Sequence, residues 1–359
     1  MARYMRIFNM VVLILLGTPL FAKQDSLQTN PKGHPIIEVF GNTNYNLSAD
    51  AGQQLRFAIG RAHIGYQYRF DHRFSCKVIL DRGRPSTIDK IMVSDSLGNF
   101  YDVTSSVKEG SFYTMTLKFA NLVWQVNEKL RIEGGGILQN HYITQERFWK
   151  YRFVAQTFQD RYFHIPSGDL GFIAYYKINH LLGFDFALTN GEGFRVDQDA
   201  FGNIKLAGGI DLYPLKNLQV RLYYHHKSYN DTMAALQEQL FSFFIGYQLG
   251  EKARIGFEYN YMMDFDGIPG MDSYGFSIFG DILLSKGFSF FGRLDELKFK
   301  LPPNEKNRSL QKDTYALITG FNYNPIHDVG ISVNYKGLFS KNKTSSQTNI
   351  IALDLMYRL

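Results

Sequence analysis

Cysteine and long apolar runs are nearly absent from this sequence. Its 359 residues include one cysteine, Cys76, which excludes an intrachain disulfide framework and a metal site built from several cysteines. Beyond residue 22 there is no run of 18 apolar residues, so membrane-spanning helices are excluded. A chain of this size with so little cysteine also differs from small secreted domains, which depend on disulfides.

The chain also lacks a strong excess of positive or negative charge. Lysine and arginine total 39 against 33 aspartates and glutamates, and the basic residues do not form runs. A dedicated nucleic-acid binder would carry clustered positive charge. We therefore expect no nucleic-acid partner.

Motifs for catalysis, cofactors and metals are missing as well. The chain contains no Gly-x-Ser-x-Gly elbow, paired metal-ligand motif or phosphate-cradling loop. His225 and His226 are adjacent, so on a strand only one of them can face an interior. His164, Ser167 and Asp169 lie close in sequence and leave a hydrolase open as an alternative. We predict no enzyme activity, no cofactor and no metal site.

The N-terminus has the pattern of an export signal. Arg3 and Arg6 precede an apolar stretch, residues 7–16, which is followed by Pro19 and by the small residue Ala22. The alternative is a membrane-anchoring helix, but the apolar stretch is shorter than the roughly 20 residues that a span needs. The prediction is a signal peptide over 1–22, a short periplasmic segment over 23–35 and a β-barrel over 36–359.

Aromatic residues are abundant. They make up 16% of the chain, with 23 tyrosines and 31 phenylalanines. Aromatic side chains concentrate where a membrane meets water, because one part of the ring faces lipid and a polar edge faces solvent. In a chain without helical spans, a closed barrel is the remaining way to cross a bilayer.

Apolar and polar residues alternate with a period of two along most of the chain. Between Ala253 and Tyr261, for example, every second residue is apolar. A helix would repeat near 3.6 residues, so the pattern predicts strands with one face toward lipid and one toward water. Sixteen segments of this kind are predicted: 36–47, 54–70, 73–82, 113–124, 128–137, 167–178, 181–190, 203–213, 217–227, 238–248, 252–263, 273–284, 287–298, 313–323, 328–338 and 348–359.

Short and long connections alternate between these segments. Every second connection is only a few residues long, whereas 83–112 and 138–166 are among the long ones. Outer-membrane barrels have short periplasmic turns and longer external loops. The pattern predicts a sixteen-stranded antiparallel barrel closed by 36–47 and 348–359, with a soluble β-sandwich as the alternative. Within the second segment the alternation changes phase at Gly60, which predicts a β-bulge.

Several stretches resemble the phosphate-selective porin family, whose members are sixteen-stranded outer-membrane channels. They occur in the family's order and cover roughly residues 55–225. The final residues, with Tyr357 two positions before an apolar end, also resemble a barrel-assembly signal. The family-like stretches are Arg61-Ala62-His63-Ile64-Gly65-Tyr66, Leu117 to Val126, Leu130 to Ile137 with its three glycines, Ser167-Gly168-Asp169-Leu170-Gly171 and Thr189-Asn190-Gly191-Glu192-Gly193.

This resemblance implies that the connection 138–166, the third external loop, folds into the lumen and narrows it. Its stretch 145–162 mixes aromatic and cationic residues and is predicted to be partly helical. The alternative is an external cap, but a long loop without a role is uncommon. We expect Arg147, Lys150, Arg152 and Arg161 to line the constriction.

Charged residues also occupy inward positions on the strands, where they could orient a solute. The alternative for each is an ion pair with a neighbour that only stiffens the wall. Arg61, Arg131, Arg221, Arg254 and Arg293 are the strand residues expected to line the pore. The whole inward set has ten bases, Arg56, Arg61, Arg69, Lys77, Arg131, Lys205, Arg221, Arg254, Arg293 and Lys336, and eight acids, Asp81, Glu133, Asp185, Asp211, Glu258, Asp281, Asp295 and Asp354.

Taken together, these features predict a porin in the outer membrane of a Gram-negative bacterium. It would pass small hydrophilic solutes by diffusion, with a mild preference for anions and with phosphate as one candidate. Its expected partners are outer-membrane lipid and further copies of itself in a homotrimer. The alternative function is a barrel subunit of an outer-membrane export or assembly complex.

Overall fold

The predicted strands form one closed antiparallel barrel in a computed structural model of the chain. The model describes residues 33–48, 54–83, 90–94, 100–104, 114–141, 143–195, 198–230, 235–302, 313–340 and 347–359. Within these residues, sixteen strands follow one another around the barrel, and the first pairs with the last. The prediction of a closed sixteen-stranded antiparallel barrel is confirmed. The predicted signal peptide, 1–22, and the segment 23–32 lie outside the described residues.

The strand bounds agree closely with the segments expected from alternation. The first strand begins at Gly33 rather than at residue 36. The barrel strands are β1 Gly33–Asn46, β2 Leu55–Arg69, β3 Phe74–Gly83, β6 Thr114–Gln125, β7 Leu130–Leu138, β8 Gly168–Lys177, β9 Leu182–Thr189, β10 Lys205–Leu215, β11 Leu218–Ser228, β12 Gln237–Leu249, β13 Ala253–Met263, β14 Asp272–Ser285, β15 Phe288–Lys300, β16 Thr314–Ile326, β17 Val329–Ser340 and β18 Thr348–Arg358.

Among the described residues, five further elements lie in the connections. Strands β4 (Lys90–Ser94) and β5 (Phe100–Thr104) pair as a separate two-stranded sheet between β3 and β6, which the sequence did not predict. Helices α1 (Ile143–Trp149) and α2 (Phe158–Tyr162) lie between β7 and β8, where partial helix was expected. A short 3-10 helix, Phe265–Gly267, follows β13.

The predicted bulge and the predicted closure are both present. Phe40 pairs with Arg61 and Gly41 pairs with Ile59, which leaves Gly60 as the extra residue of β2. At the seam, β1 and β18 pair along nine positions from Glu38↔Arg358 to Asn46↔Ile350.

The two faces of the barrel have the opposite character to those of a soluble protein. On β13, Ile255 and Tyr259 point outward and are 60% and 41% exposed, whereas the inward Glu258 and Asn260 are 1% and 0% exposed. Large apolar side chains are therefore spread over the outside, and polar ones are buried within. This arrangement suits a sheet surrounded by lipid. No helix among the described residues is long and apolar enough to cross a membrane.

Candidate functional site

The segment between β7 and β8, residues 139–167, is packed against the inner face of the wall and is called the helical segment below. Aromatic side chains on its first half meet inward-facing rings of the strands. Tyr151 stacks on Phe291 with 4.5 Å between ring centroids, and Trp149 lies 5.4 Å from Phe279. Phe153 reaches Phe40 on β1 at 6.2 Å. These contacts bury apolar area that would otherwise face water.

The second half of the helical segment forms another apolar cluster. Phe158, Tyr162 and Phe163 pack with inward side chains that include Leu240 and Met262. Leu240 and Met262 lie on the neighbouring strands β12 and β13. The two clusters together fix the segment against both β1 and the middle strands.

Three inward arginines bind the backbone of the helical segment in the same way. Arg254 pairs with Asp281 through two contacts of 2.7 Å and donates to the Phe148 carbonyl at 2.8 Å. Asp281 in turn accepts the Tyr151 hydroxyl at 2.8 Å. The guanidinium fork can serve a carboxylate and a carbonyl at once, which an ammonium does less well.

Arg293 and Arg221 repeat this arrangement. Arg293 pairs with Asp295 at 2.7 Å and donates to the Gln156 carbonyl, and Asp295 accepts the Tyr162 hydroxyl at 2.9 Å. Arg221 contacts two acids at 2.7 Å and donates to the Asn140 carbonyl at 2.8 Å. Those acids are Asp185 and Asp211.

We call these three sets, Arg221 with Asp185 and Asp211, Arg254 with Asp281, and Arg293 with Asp295, the backbone clamps. Arg221 and Arg293 are only 2% and 3% exposed. Each clamp carries as much negative charge as positive or more, and each is occupied by the helical segment. Their geometry therefore fits the second interpretation of the inward charges, in which each forms an ion pair with a neighbour that stiffens the wall.

Three other arginines expected to line the pore or its constriction are also paired. Arg61 bonds Glu38 at 2.7 Å and lies 4.7 Å from the centre of the Phe40 ring. Arg152 bonds Glu146 at 2.9 Å and Asp160 at 2.6 Å. Arg131 on β7 bonds Glu133 at 3.2 Å, and its guanidinium lies 4.2 Å from the centre of the Tyr175 ring.

The remaining three predicted cations differ from these. Arg147, Lys150 and Arg161 form no ion pair with any residue that the structure describes. Arg161 lies 5.2 Å from the ring centre of its neighbour Tyr162. Arg147 and Lys150 are exposed. Lys150 has a φ of 62°, a left-handed conformation that is uncommon outside glycine.

Arg147 and Lys150 line a cavity of about 820 Å³, which we call the vestibule. Its lining includes Glu251, Lys252 and His327, which belong to the short turns after β12 and β16. Arg61, Arg152 and Arg254 also line it. A second cavity of about 470 Å³ lies along β7 to β10 and includes Arg131. Apart from Arg161, the cationic residues predicted from sequence are thus divided between two cavities and the clamps.

Asp169 was not predicted to organise the interior, although it lies in one of the family-like stretches. Its carboxylate accepts the backbone N–H groups of Gly191 at 2.7 Å and Gly193 at 3.2 Å, and the Gln139 side chain at 2.8 Å. Both glycines have φ near 90° (92° and 93°). The Ser-Gly-Asp-Leu-Gly and Asn-Gly-Glu-Gly stretches therefore meet in space, and they tie the start of the helical segment to the next loop.

The residues considered for a hydrolase are arranged differently from a catalytic triad. Asp169 is 0% exposed and is engaged by amides, as described above. His164 is exposed and its ring lies 6.0 Å from Phe265. His225 points inward and is fully buried, while His226 is only partly so. Among the described residues, no group of three His, Cys, Asp or Glu side chains is arranged to hold a metal ion.

A buried ionic chain along β1, β2, β3 and β6 was also missed by the sequence analysis. Lys118 bonds Asp81 at 2.7 Å, and His63 lies 3.3 Å from Asp81 and 3.5 Å from Glu38. Glu38 also holds Arg61, so the five groups form one continuous network. Alternation alone predicted that Arg61 and His63 share a face, but not which partners they meet.

The fold and these inward groups define a transmembrane β-barrel with a partly filled interior. No protein-family model and no curated protein matches the sequence. Among solved structures, the outer-membrane channel DcaP of Acinetobacter baumannii has a TM-score of 0.65 at 10% identity, covering 92% of this chain and 98% of that one. An anion-selective porin from Comamonas acidovorans gives 0.63 at 10% identity, with 92% and 100% covered. OprB of Pseudomonas putida gives 0.62 at 10%, with 91% and 94% covered. The chain therefore has the fold of the outer-membrane porins.

Proposed function

We propose that this protein is a porin of a Gram-negative outer membrane that passes small hydrophilic solutes by diffusion. The observation that carries the proposal is the inverted barrel, with exposed apolar residues outside and polar groups inside. A membrane barrel with a polar interior offers water and ions a path that lipid does not. The fold shared with known channels supports this function.

We further propose that the helical segment narrows the passage and that the channel mildly prefers anions. Contacts of Phe153 with Phe40 and of Tyr151 with Phe291 support a segment that extends across the interior. The exposed cations Arg147 and Lys150 on this segment favour anions. Charge in a narrow passage is screened less than charge on an open surface. Phosphate is one candidate among such solutes.

Planar-bilayer recording with the purified full chain tests this proposal. In a potassium chloride gradient the zero-current potential should indicate a modest chloride preference, and the double variant Arg147→Gln/Lys150→Gln should shift it toward potassium. Lys286→Gln, in the turn between β14 and β15 and outside the vestibule lining, is the matched control. A barrel that conducts no ions would contradict the porin function. A wild-type preference for potassium would contradict the anion preference alone.

Phosphate can be tested in the same recordings. If phosphate enters the passage, millimolar phosphate should reduce the chloride current, and the double variant should weaken that block. An unchanged chloride current would rule out phosphate as a preferred solute.

We also propose a homotrimer, since one solved structure with this fold is a trimer form of OmpT from Vibrio cholerae. Native mass spectrometry of the detergent-solubilised protein should then give a mass near three chains.

A further inference from the structure

We propose that the vestibule prefers organic anions that join a carboxylate to an apolar body, such as aromatic carboxylates, over inorganic anions. This inference rests on the proposed channel function and names the class of solute. Its basis is that one cavity of about 820 Å³ is lined both by exposed cations and by apolar side chains.

The apolar part of the lining is unusual for a water-filled passage. Leu283 lies on the same face of β14 as Asp281, and it is 40% exposed although it points into the barrel. Met356 on β18 is only partly buried, and Phe40 and Phe153 also line the cavity. Exposed apolar surface inside a barrel costs free energy unless a solute covers it.

The cationic part comes from the helical segment. Lys150 lies between Trp149 and Tyr151, which are both buried and pack on the wall rings of Phe279 and Phe291. Lys150 directly follows α1 in this left-handed conformation, its N–H donates to the Glu146 carbonyl at 3.1 Å, and its side chain lines the vestibule. Non-glycine residues in this conformation are often found at functional sites, because the surrounding structure must enforce it. Arg147, one turn earlier on α1, adds a second exposed cation.

The wall already joins cations to aromatic rings. The Arg61 guanidinium covers the Phe40 ring at 4.7 Å, and the Arg254 guanidinium lies 5.9 Å from the Tyr151 ring centre. A carboxylate could pair with Lys150 and Arg147 while an attached ring covers Leu283 and Met356. Chloride or phosphate would gain only the first interaction. Covering the apolar side should favour the organic anion by about threefold to tenfold, since a partly buried methylene pair is worth roughly that factor.

Permeation of benzoate and acetate by the full chain gives the first test. Under bi-ionic conditions against chloride, benzoate should permeate at least as well as the smaller acetate, and it should block chloride current at about threefold to tenfold lower concentration. The double variant Leu283→Ser/Met356→Gln should remove this difference and leave acetate unchanged. Leu284→Ser is the matched control, because Leu284 is adjacent to Leu283 but does not line the vestibule. Lys150→Gln should weaken the binding of both benzoate and acetate.

Equilibrium dialysis of labelled benzoate and acetate against the folded barrel in detergent gives an independent measure of binding. Tighter binding of benzoate, reduced by Leu283→Ser/Met356→Gln, supports the proposal even without a current. Equal binding and equal permeation of the two anions would overturn it. A channel that conducts chloride but treats them alike would leave the porin function intact. A barrel that binds benzoate without conducting ions would refute only the porin function.

Discussion

Arginine has two distinct roles in this interior, and its partners determine which. In the backbone clamps, guanidinium groups are neutralised by aspartates and hold carbonyls of the helical segment. Arg147 instead lies in the vestibule without an ion pair among the described residues, so its charge is available to a solute. A buried cation is tolerated only when it is paired and hydrogen-bonded, whereas an exposed one keeps its hydration.

The clamp at Arg293 should show this dependence directly. Asp295→Asn leaves the Arg293 guanidinium buried without its carboxylate, which should destabilise packing of the helical segment by about 3 kcal/mol. We expect chymotrypsin to cleave near Tyr162 faster than in the wild type. The double variant Arg293→Gln/Asp295→Asn removes both charges and should recover much of the protection. If the double variant were as sensitive as the single one, the ion pair would not be what holds the segment.

Alternation identified most inward residues, but their partners could not be predicted. A period of two follows from local backbone geometry, so Arg254, Arg293 and Glu258 could be assigned to the inner face from sequence alone. The bond from Arg293 to the Gln156 carbonyl joins residues 137 positions apart. Such a contact depends on how a loop folds back, about which the strand pattern carries no information.

At the scale of elements, the helical segment combines local and distant determinants. Its partial helicity was predicted, whereas its two apolar clusters depend on side chains contributed by β1 and by strands from β7 to β16. The small sheet formed by β4 and β5 escaped prediction for a different reason. Its five-residue strands are shorter than the roughly 9–11 residues that a membrane-spanning strand needs.

Removing the middle of the helical segment tests its proposed role in narrowing the passage. Deletion of about ten residues, 149–158, removes Trp149, Tyr151 and Phe153 from the interior, so single-channel conductance should rise substantially. A deletion of the same length at 303–312, in the connection between β15 and β16, is the control. Unchanged conductance after the first deletion would indicate that the segment does not set the narrowest section.

The loop held by Asp169 depends on glycine. Gly193 has a φ of 93°, and a Cβ there would lie 2.6 Å from Pro166. Gly193→Ala should therefore cost about 1–2 kcal/mol and lower the temperature at which the folded barrel is lost in a gel-shift assay. Gly183→Ala is the control, since a Cβ at that position meets only the Tyr176 carbonyl oxygen at 3.8 Å. Equal melting of the two variants would show that the loop is not strained by a side chain.

At the scale of the whole molecule, the architecture was the most predictable property. The strand count, the short turns and the seam all follow from alternation and connection length, which are spread over the entire chain. Errors in one strand do not change that pattern. The filling of the lumen, by contrast, depends on one segment and on a few side chains, so the strand pattern leaves it open to two interpretations.

Closure of the barrel can be tested by joining its first and last strands. Asn44 on β1 lies opposite Ala352 on β18. Directly opposed residues of antiparallel strands have Cα atoms about 4.5–5.5 Å apart, within the range that a disulfide spans. In a Cys76→Ser background, Asn44→Cys/Ala352→Cys should therefore cross-link under mild oxidation in membranes. The product should migrate differently from the reduced chain on a denaturing gel, because the cross-link restricts the unfolded state.

Asn44→Cys/Ile350→Cys is the matched control, since residue 350 pairs with Asn46 instead. Efficient cross-linking of the first pair alone requires the closed register, whereas failure of both pairs would indicate an open sheet.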